Sequence, residues 1–414
     1  MIRFKPFKAF LPNKDFVNEI LCLPYDVIDT KEAKEIAKKK GNKNFVHIIR
    51  SEIDLEENTN PYDQSVYLKA KENLTNFINK RFLIRDTEDS FYIYELLWQG
   101  RRQIGLVGLC HIQDYLEKKI KIHEFTLPDK EEDRLNHIDI TGFNSEPVFF
   151  MFFSQDAQSL QNFLETYVEK TTPEYEVLDE QETQHKIYYV KDKKDIEWII
   201  QKFHELDALY IADGHHRTSA TVRAALKRKD LDQNYHLEKS YHWFLSVVFP
   251  SNHLKTLGYH RIVFDLNSLT KEEFLEHVKQ KFYIQKGKGN LQLHSFRMFL
   301  IDEWFTLTLK EKFYRQEVIE DLDVSYLQDY ILDPILGIQN PRTSHRISFI
   351  GGIKGEEELE RIIRNAGKGV AFSLYPTPVE SVIKVANANQ VMPPKSTWFE
   401  PKLKSGFFLN KIDD

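Results

Sequence analysis

The chain has 414 residues, 41% of them hydrophobic and 29% charged, a composition that suits a globular protein of two or three lobes and excludes large disordered tracts. Its 57 basic and 63 acidic residues leave a net charge of −6, so no global positive field draws nucleic acid to it. The two cysteines, Cys22 and Cys110, lie in apolar runs, which excludes a disulfide framework and a cysteine zinc site.

The first residues lack the apolar run of a signal peptide and no segment is long enough to span a bilayer, so a cytoplasmic protein with no membrane contact is expected. After a short strand and loop, Leu23-Pro24-Tyr25-Asp26-Val27-Ile28 leads into a helix that Asp29 or Thr30 can cap and that stops near Gly41. Residues 45–50 read as a buried strand, and 64–84 as an amphipathic helix followed by a strand. Residues 91–97 and 103–112 read as a hairpin around Gln99-Gly100. Residues 119–134 then gather His123, Glu124, Thr126, Lys130, Glu131, Asp133 and Arg134, more kinds of functional group than an exposed helix start needs.

A strand at 147–153, a helix at 160–169 and another beginning near Asp195 precede the apolar strand 208–212. This strand stops at Asp213-Gly214-His215-His216-Arg217-Thr218, after which 219–229 reads as an Ala-rich helix and 241–249 as a buried strand. The last third alternates strands and helices, with a strand at 367–374 and a helix at 378–389. It ends in Met392-Pro393-Pro394-Lys395-Ser396-Thr397, a loop stiffened by its prolines. The pattern predicts an α/β protein with a mixed sheet, in lobes of 1–155, 156–265 and 266–414 with soft boundaries.

The turn after the strand carries the chemistry. A strand passing through Asp213-Gly214 into a helix start places several backbone N–H groups together at the end of a sheet, where anions bind. Gly214 permits a conformation and an approach that a side chain would obstruct, and Arg217 offers a fork of donors. Thr218 and Ser219 add hydroxyls, while His215 and His216 add groups that titrate or ligate metal. In 119–134 a carboxylate can accept the proton of an attacking hydroxyl; Glu124 is the preferred base, with Asp26 and Asp213 as competitors. Lys395, Ser396 and Thr397 are placed to close over phosphate. Adjacent histidines diverge at a helix start, which argues against a helical zinc pair, and no Gly-Lys-Ser/Thr P-loop occurs.

Ile211-Ala212-Asp213-Gly214-His215-His216-Arg217 resembles the second conserved box of the ParB/sulfiredoxin superfamily, most closely the form found in its free-serine kinases. Together with Leu23-Pro24-Tyr25-Asp26-Val27-Ile28, His123-Glu124-Phe125-Thr126, residues 130–134 and 392–397, it also resembles a bacterial family known only as a domain of unknown function. The resemblance implies a strand-turn-helix phosphate-binding core and phosphoryl transfer from ATP, ADP or pyrophosphate to a small hydroxyl compound, free L-serine first, with Mg²⁺. In that scheme Glu124, Asp213, His216 and Arg217 are catalytic, and Gly214, His215, Thr218, Ser219, Asp26, His123, Thr126, Arg134, Lys395, Ser396 and Thr397 bind substrate or phosphate. Arg217 is expected to be partly exposed in a cleft. A ParB-like nucleotide switch and a phosphate-ester hydrolase are the alternatives; the first would need a basic helical domain after the turn, and only Lys227-Arg228-Lys229 is basic there.

Overall fold

The helix Thr30–Lys40 begins where the sequence indicates. The Asp29 side chain accepts from the Glu32 N–H, the Glu32 carboxylate accepts from the Asp29 N–H, and Gly41 ends the helix. In the computed structural model residues 1–413 are described. Their contacts divide the chain into two units: Met1–Lys121 with Thr126–Leu254 and 401–413, and Ile122–Phe125 with Lys255–Glu400.

The first unit is built on a nine-stranded mixed sheet. Its strands run in the order Ile120–Lys121, Leu209–Asp213, Val148–Phe152, Trp243–Pro250, Arg101–His111, Phe91–Trp98, Gln184–Val190 and Tyr175–Leu178, and Phe4–Lys5 also pairs with Arg101–His111. Leu209–Asp213 runs parallel to Ile120–Lys121 and antiparallel to Val148–Phe152, which is parallel to Trp243–Pro250. Val148–Phe152 and Trp243–Pro250 are buried along their whole length, and so is Leu209–Asp213 up to Ala212, as near-continuous apolar runs covered on both faces should be. Gly108 on Arg101–His111 leaves room for the Phe4 ring, since a Cβ there would stand 2.5 Å from it. Helix Gln64–Asn79 buries Val66, Tyr67, Ala70, Leu74 and Phe77 at helical spacing.

The second unit carries a six-stranded sheet, antiparallel throughout, in the order Phe282–Lys286, Glu303–Leu309, Ser295–Leu300, Val370–Leu374, Tyr259–Val263 and Ile347–Gly351. Helix Gly355–Ala366 packs Leu359 and Ile363 against Ile262, Phe299 and Ala371 of that sheet. The architecture is mixed α/β. Among the described residues no helix is long and apolar enough to cross a membrane.

One expected element is replaced. Residues 45–50 are not a strand: Val46–Ile49 is a helical turn followed by the 3₁₀ turn Ser51–Asp54. Phe45, Val46, Ile48 and Ile49 are buried while His47 and Arg50 are half-buried, the spacing of a helical turn, but over a run too short to separate helix from buried strand by pattern alone. Asn44 decides it, its side chain accepting from the Val46 N–H while donating to the carbonyls of Glu19 and Leu21.

Candidate phosphate site

Strand Leu209–Asp213 loses register with Val148–Phe152 between Ile211 and Asp213, leaving Ala212 as the extra residue of a bulge. Gly214 follows at φ +97°, in left-handed backbone, and opens the seventeen-residue helix His215–Leu231. A Cβ on Gly214 would stand 3.2 Å from both Arg217 Nε and Val148 Cγ1, so glycine is required for conformation and for space. The Thr218 N–H bonds the Gly214 carbonyl at 2.9 Å, closing the first turn of the helix. The amides ahead of it sit where a helix has no acceptor of its own.

Arg217 is only 8% exposed, against the expectation of a partly exposed side chain. The cause is local: its position faces Pro147 and Val148 beneath the turn, where Nη1 donates to the Pro147 carbonyl. Nη2 lies 3.9 Å from Asp26 Oδ2, and Nε is buried and meets no acceptor among the described residues. Burial disfavours its charge, but Asp26, Glu146 and Asp213 outweigh it and hold the guanidinium firmly protonated.

Asp213 Oδ2 accepts from Lys402 Nζ at 2.8 Å. Burial works against the charged carboxylate, yet Lys402 and Arg217 hold it well below the ordinary carboxylate range. Glu146 is its counterpart deeper in the unit, 7% exposed, accepting from the Tyr25 N–H at 3.2 Å and from the Ser405 hydroxyl. Burial raises its pKa, and Arg217, Arg134 and Ser405 offset only part of the shift. The Arg134 guanidinium lies 3.9 Å from the centre of the Tyr25 ring and donates to Asp133. Arg134, Glu146 and Arg217 line a cavity of ≈ 20 Å³, space for about one water molecule.

The rest of the turn is committed to holding the chain. His216 Nε2 accepts from the Leu127 N–H at 3.0 Å, so that nitrogen's lone pair is occupied. His215 is buried. The Thr218 hydroxyl donates to the Gly214 carbonyl, and Ser219 hydrogen-bonds with Glu131 and Tyr115. Thr126 donates to Glu131 at 2.7 Å, and Arg223 pairs with Glu131 and Glu132, which ties helix Pro128–Thr141 to helix His215–Leu231.

The remaining candidates belong to the second unit. His123 is buried there, its Nε2 3.3 Å from the Thr397 hydroxyl and its carbonyl accepting from the Met392 N–H. Glu124 is half-buried. Ser396 donates to the Pro393 carbonyl and its own carbonyl accepts from Thr377, while Lys395 stands at φ +59° with Nζ 5.5 Å from the Tyr259 ring centre. Thus the structure gathers Asp26, Arg134 and the turn in the first unit, and Glu124, His123 and residues 395–397 in the second.

Four participants were not singled out from the sequence. Glu146 had a readable signal, a carboxylate at the mouth of the apolar strand 147–153. Tyr25 lay inside a quoted motif without being assigned a part. Lys402 and Ser405 carried no signal, because only the path of residues 401–413 beside the turn gives them partners.

Several solved structures resemble this one at low sequence identity. A conserved hypothetical protein from Pyrococcus furiosus is 14% identical over 70% of this chain and 89% of its own, with a TM-score of 0.31. A free serine kinase in complex with AMP is 14% identical over 70% of this chain and 86% of its own, with a TM-score of 0.33. SbnI from Staphylococcus aureus, truncated at its C-terminus, is 12% identical over 72% and 85%, with a TM-score of 0.37. These are likenesses of fold. No curated protein matches the sequence. The family described as protein of unknown function (DUF1015) matches residues 4–325, most of the chain, and the protein therefore belongs to that family.

Proposed function

We propose that the chain is a kinase-type phosphotransferase, moving a phosphoryl group from ATP, ADP or pyrophosphate to the hydroxyl of a small metabolite, with free L-serine as acceptor and O-phosphoserine as product. The observation that carries the reading is Arg217: a fully charged guanidinium with a buried, unanswered Nε, in the first turn of a helix opened by a left-handed glycine. A helix start concentrates N–H donors on an anion, and a fixed guanidinium beside it stabilises the charge of a transferring phosphoryl group.

Each side chain then has a part. The helix start after Gly214 cradles the donor phosphates, with His215, Thr218 and Ser219 shaping the cradle, and Arg217 neutralises charge in the transition state. Asp213 is a poor base, because a carboxylate held so far towards its charged form has little affinity for a proton; it orients Lys402 instead. Glu124 is assigned the removal of the acceptor's hydroxyl proton, with Asp26 as the carboxylate nearest Arg217. His216 steadies the segment at Leu127, Thr126 and Arg134 hold helix Pro128–Thr141 in place, and His123, Lys395, Ser396 and Thr397 are assigned to substrate binding. Mg²⁺ would be held mainly by the donor phosphates, with a carboxylate such as Asp26 completing its shell.

The test incubates purified protein and Mg²⁺ with L-serine and, separately, ATP, ADP or pyrophosphate, and follows O-phosphoserine by mass spectrometry. Product that disappears in Glu124→Gln and Arg217→Lys supports the reading. Tight nucleotide binding that Arg217→Lys abolishes, with no product from any donor, turns the chain into a nucleotide-operated switch; phosphate released without acceptor makes it a hydrolase.

A further inference from the structure

A second cavity of the first unit, ≈ 470 Å³, falls in the size range of small-molecule sites and lies apart from the residues of the phosphate turn. Its walls come from three stretches: Leu21, Leu23 and Ile36 near the amino terminus, Val177 and Leu178 on the strand Tyr175–Leu178, and Lys404 near the carboxyl terminus.

The polar groups at this cavity are unevenly satisfied. Asp179 is saturated: Oδ1 accepts from the N–H groups of Gln181 and Thr183, and Oδ2 is shared by His185 Nε2 at 3.1 Å and Lys404 Nζ at 2.7 Å. Glu180 is engaged by Lys39 at 3.0 Å, and Glu176 by Gln184 and Lys186. Lys404 is not saturated. It is 8% exposed, its ammonium carries three donors, and Asp179 is its sole acceptor among the described residues. Lys40, also lining the cavity, makes only long contacts, 3.5 Å to the Asn18 carbonyl and 3.9 Å to Glu180. Two ammonium groups with unused donors beside an apolar wall, where every acid is already occupied, are complementary to a carboxylate carried on a short apolar body.

The position of Lys404 gives such a ligand a consequence. Two residues earlier Lys402 pairs with Asp213 of the phosphate turn, and one residue later Ser405 donates to Glu146. The Lys404 N–H itself bonds the buried Tyr94 hydroxyl, which also meets His185. A ligand drawing on Lys404 therefore pulls on a four-residue segment whose other side chains fix two carboxylates around Arg217.

We propose that this cavity is an effector site for a small apolar carboxylate, an α-amino acid or the corresponding 2-oxo acid, and that residues 402–405 transmit its occupancy to the phosphate turn. The site does not depend on the phosphotransferase reading, since its ligand and its readout are separate from turnover.

Calorimetry on the full chain with leucine, 4-methyl-2-oxopentanoate and leucinol distinguishes the sources: both acids binding shows that the carboxylate suffices, leucine alone that the ammonium is also read, and leucinol, lacking the carboxylate, should not bind. Lys404→Met should weaken binding about tenfold or more, as loss of a charge-assisted hydrogen bond would. Ile36→Trp, which fills the apolar wall without touching Asp179, should do the same if Lys404→Met proves unstable. Hydrogen exchange with saturating ligand should change at 401–405 and at 209–219. The proposal is overturned if neither acid binds, if leucinol binds as well as leucine, if both cavity variants bind unchanged, or if binding leaves exchange at 209–219 untouched.

Discussion

Lys402 Nζ lies 2.8 Å from Asp213 Oδ2, so a cation from the last fourteen residues of the chain fixes the carboxylate that ends the strand Leu209–Asp213. The Lys402 side chain is 11% exposed and that of Asp213 25%, which makes the pair much less screened than a surface salt bridge. Lys402→Met should lower stability at neutral pH by about 1–3 kcal/mol, below the cost of breaking a fully buried pair because Asp213 keeps Arg217 and some solvent. The sign with pH follows from the depressed pKa of Asp213. The pair's contribution is present above the unfolded Asp value near about 3.9 and is lost as pH falls through the folded value. Urea midpoints of wild type and variant should therefore differ at neutral pH and converge in acid; a constant gap would show that Asp213 does not carry the effect.

What the sequence discloses and what it hides follow from this pair. The turn was legible because a wholly apolar strand meets Asp-Gly and then an Ala-rich helix, a local change of pattern that needs no tertiary information. The capped helix Thr30–Lys40 and the hairpin of Phe91–Trp98 with Arg101–His111 were legible for the same reason. Lys402 was illegible because its meaning depends on a partner 189 residues away. Arg217 was legible as a donor but not as a buried one, since only the fold puts the carbonyl of Pro147 against it. Residues 45–50 failed because six residues are too few for periodicity to separate a buried strand from a helical turn.

Glu146 predicts a pH dependence of the opposite sense. Its carboxyl is pushed up by burial, so it holds its proton more tightly folded than unfolded. The stability this contributes is present below the unfolded Glu value near about 4.3 and is lost as pH rises through the folded value. Glu146→Gln keeps an acceptor for the Tyr25 N–H and the Ser405 hydroxyl but does not titrate. Its stability should fall less steeply than the wild type's as pH rises above about 4.3. Unfolding curves across that window decide it, and parallel curves would remove Glu146 as the source.

Gly214→Ala tests the turn without changing any charge. The residue stands at φ +97°, and its new Cβ would crowd Arg217 Nε and Val148 Cγ1 at 3.2 Å. Backbone strain of this kind costs about 1–3 kcal/mol. The variant should show that loss in urea unfolding and, because Arg217 must yield, a weakened affinity for inorganic phosphate or nucleotide by calorimetry. Full affinity in a destabilised variant would mean that the turn is structural and the anion binds elsewhere.

Arg217→Lys separates charge from geometry. A lysine keeps a positive group, yet it gives up the bond to the Pro147 carbonyl or the approach to Asp26, since one ammonium cannot span what the guanidinium's separate nitrogens reach. Because the side chain is 8% exposed, folding should be affected as well, by about 1–2 kcal/mol for a lost buried hydrogen bond. Turnover should fall by about a hundredfold or more, corresponding to about 2.7 kcal/mol at the transition state. The two losses are separable: assays well below the unfolding temperature, where the variant remains folded by circular dichroism, report the chemical step alone. The phosphotransferase role for Arg217 requires that kcat falls there while the affinity for L-serine is largely kept. A variant that is destabilised but turns over at the wild-type rate would leave Arg217 as a structural clamp between Pro147 and Asp26.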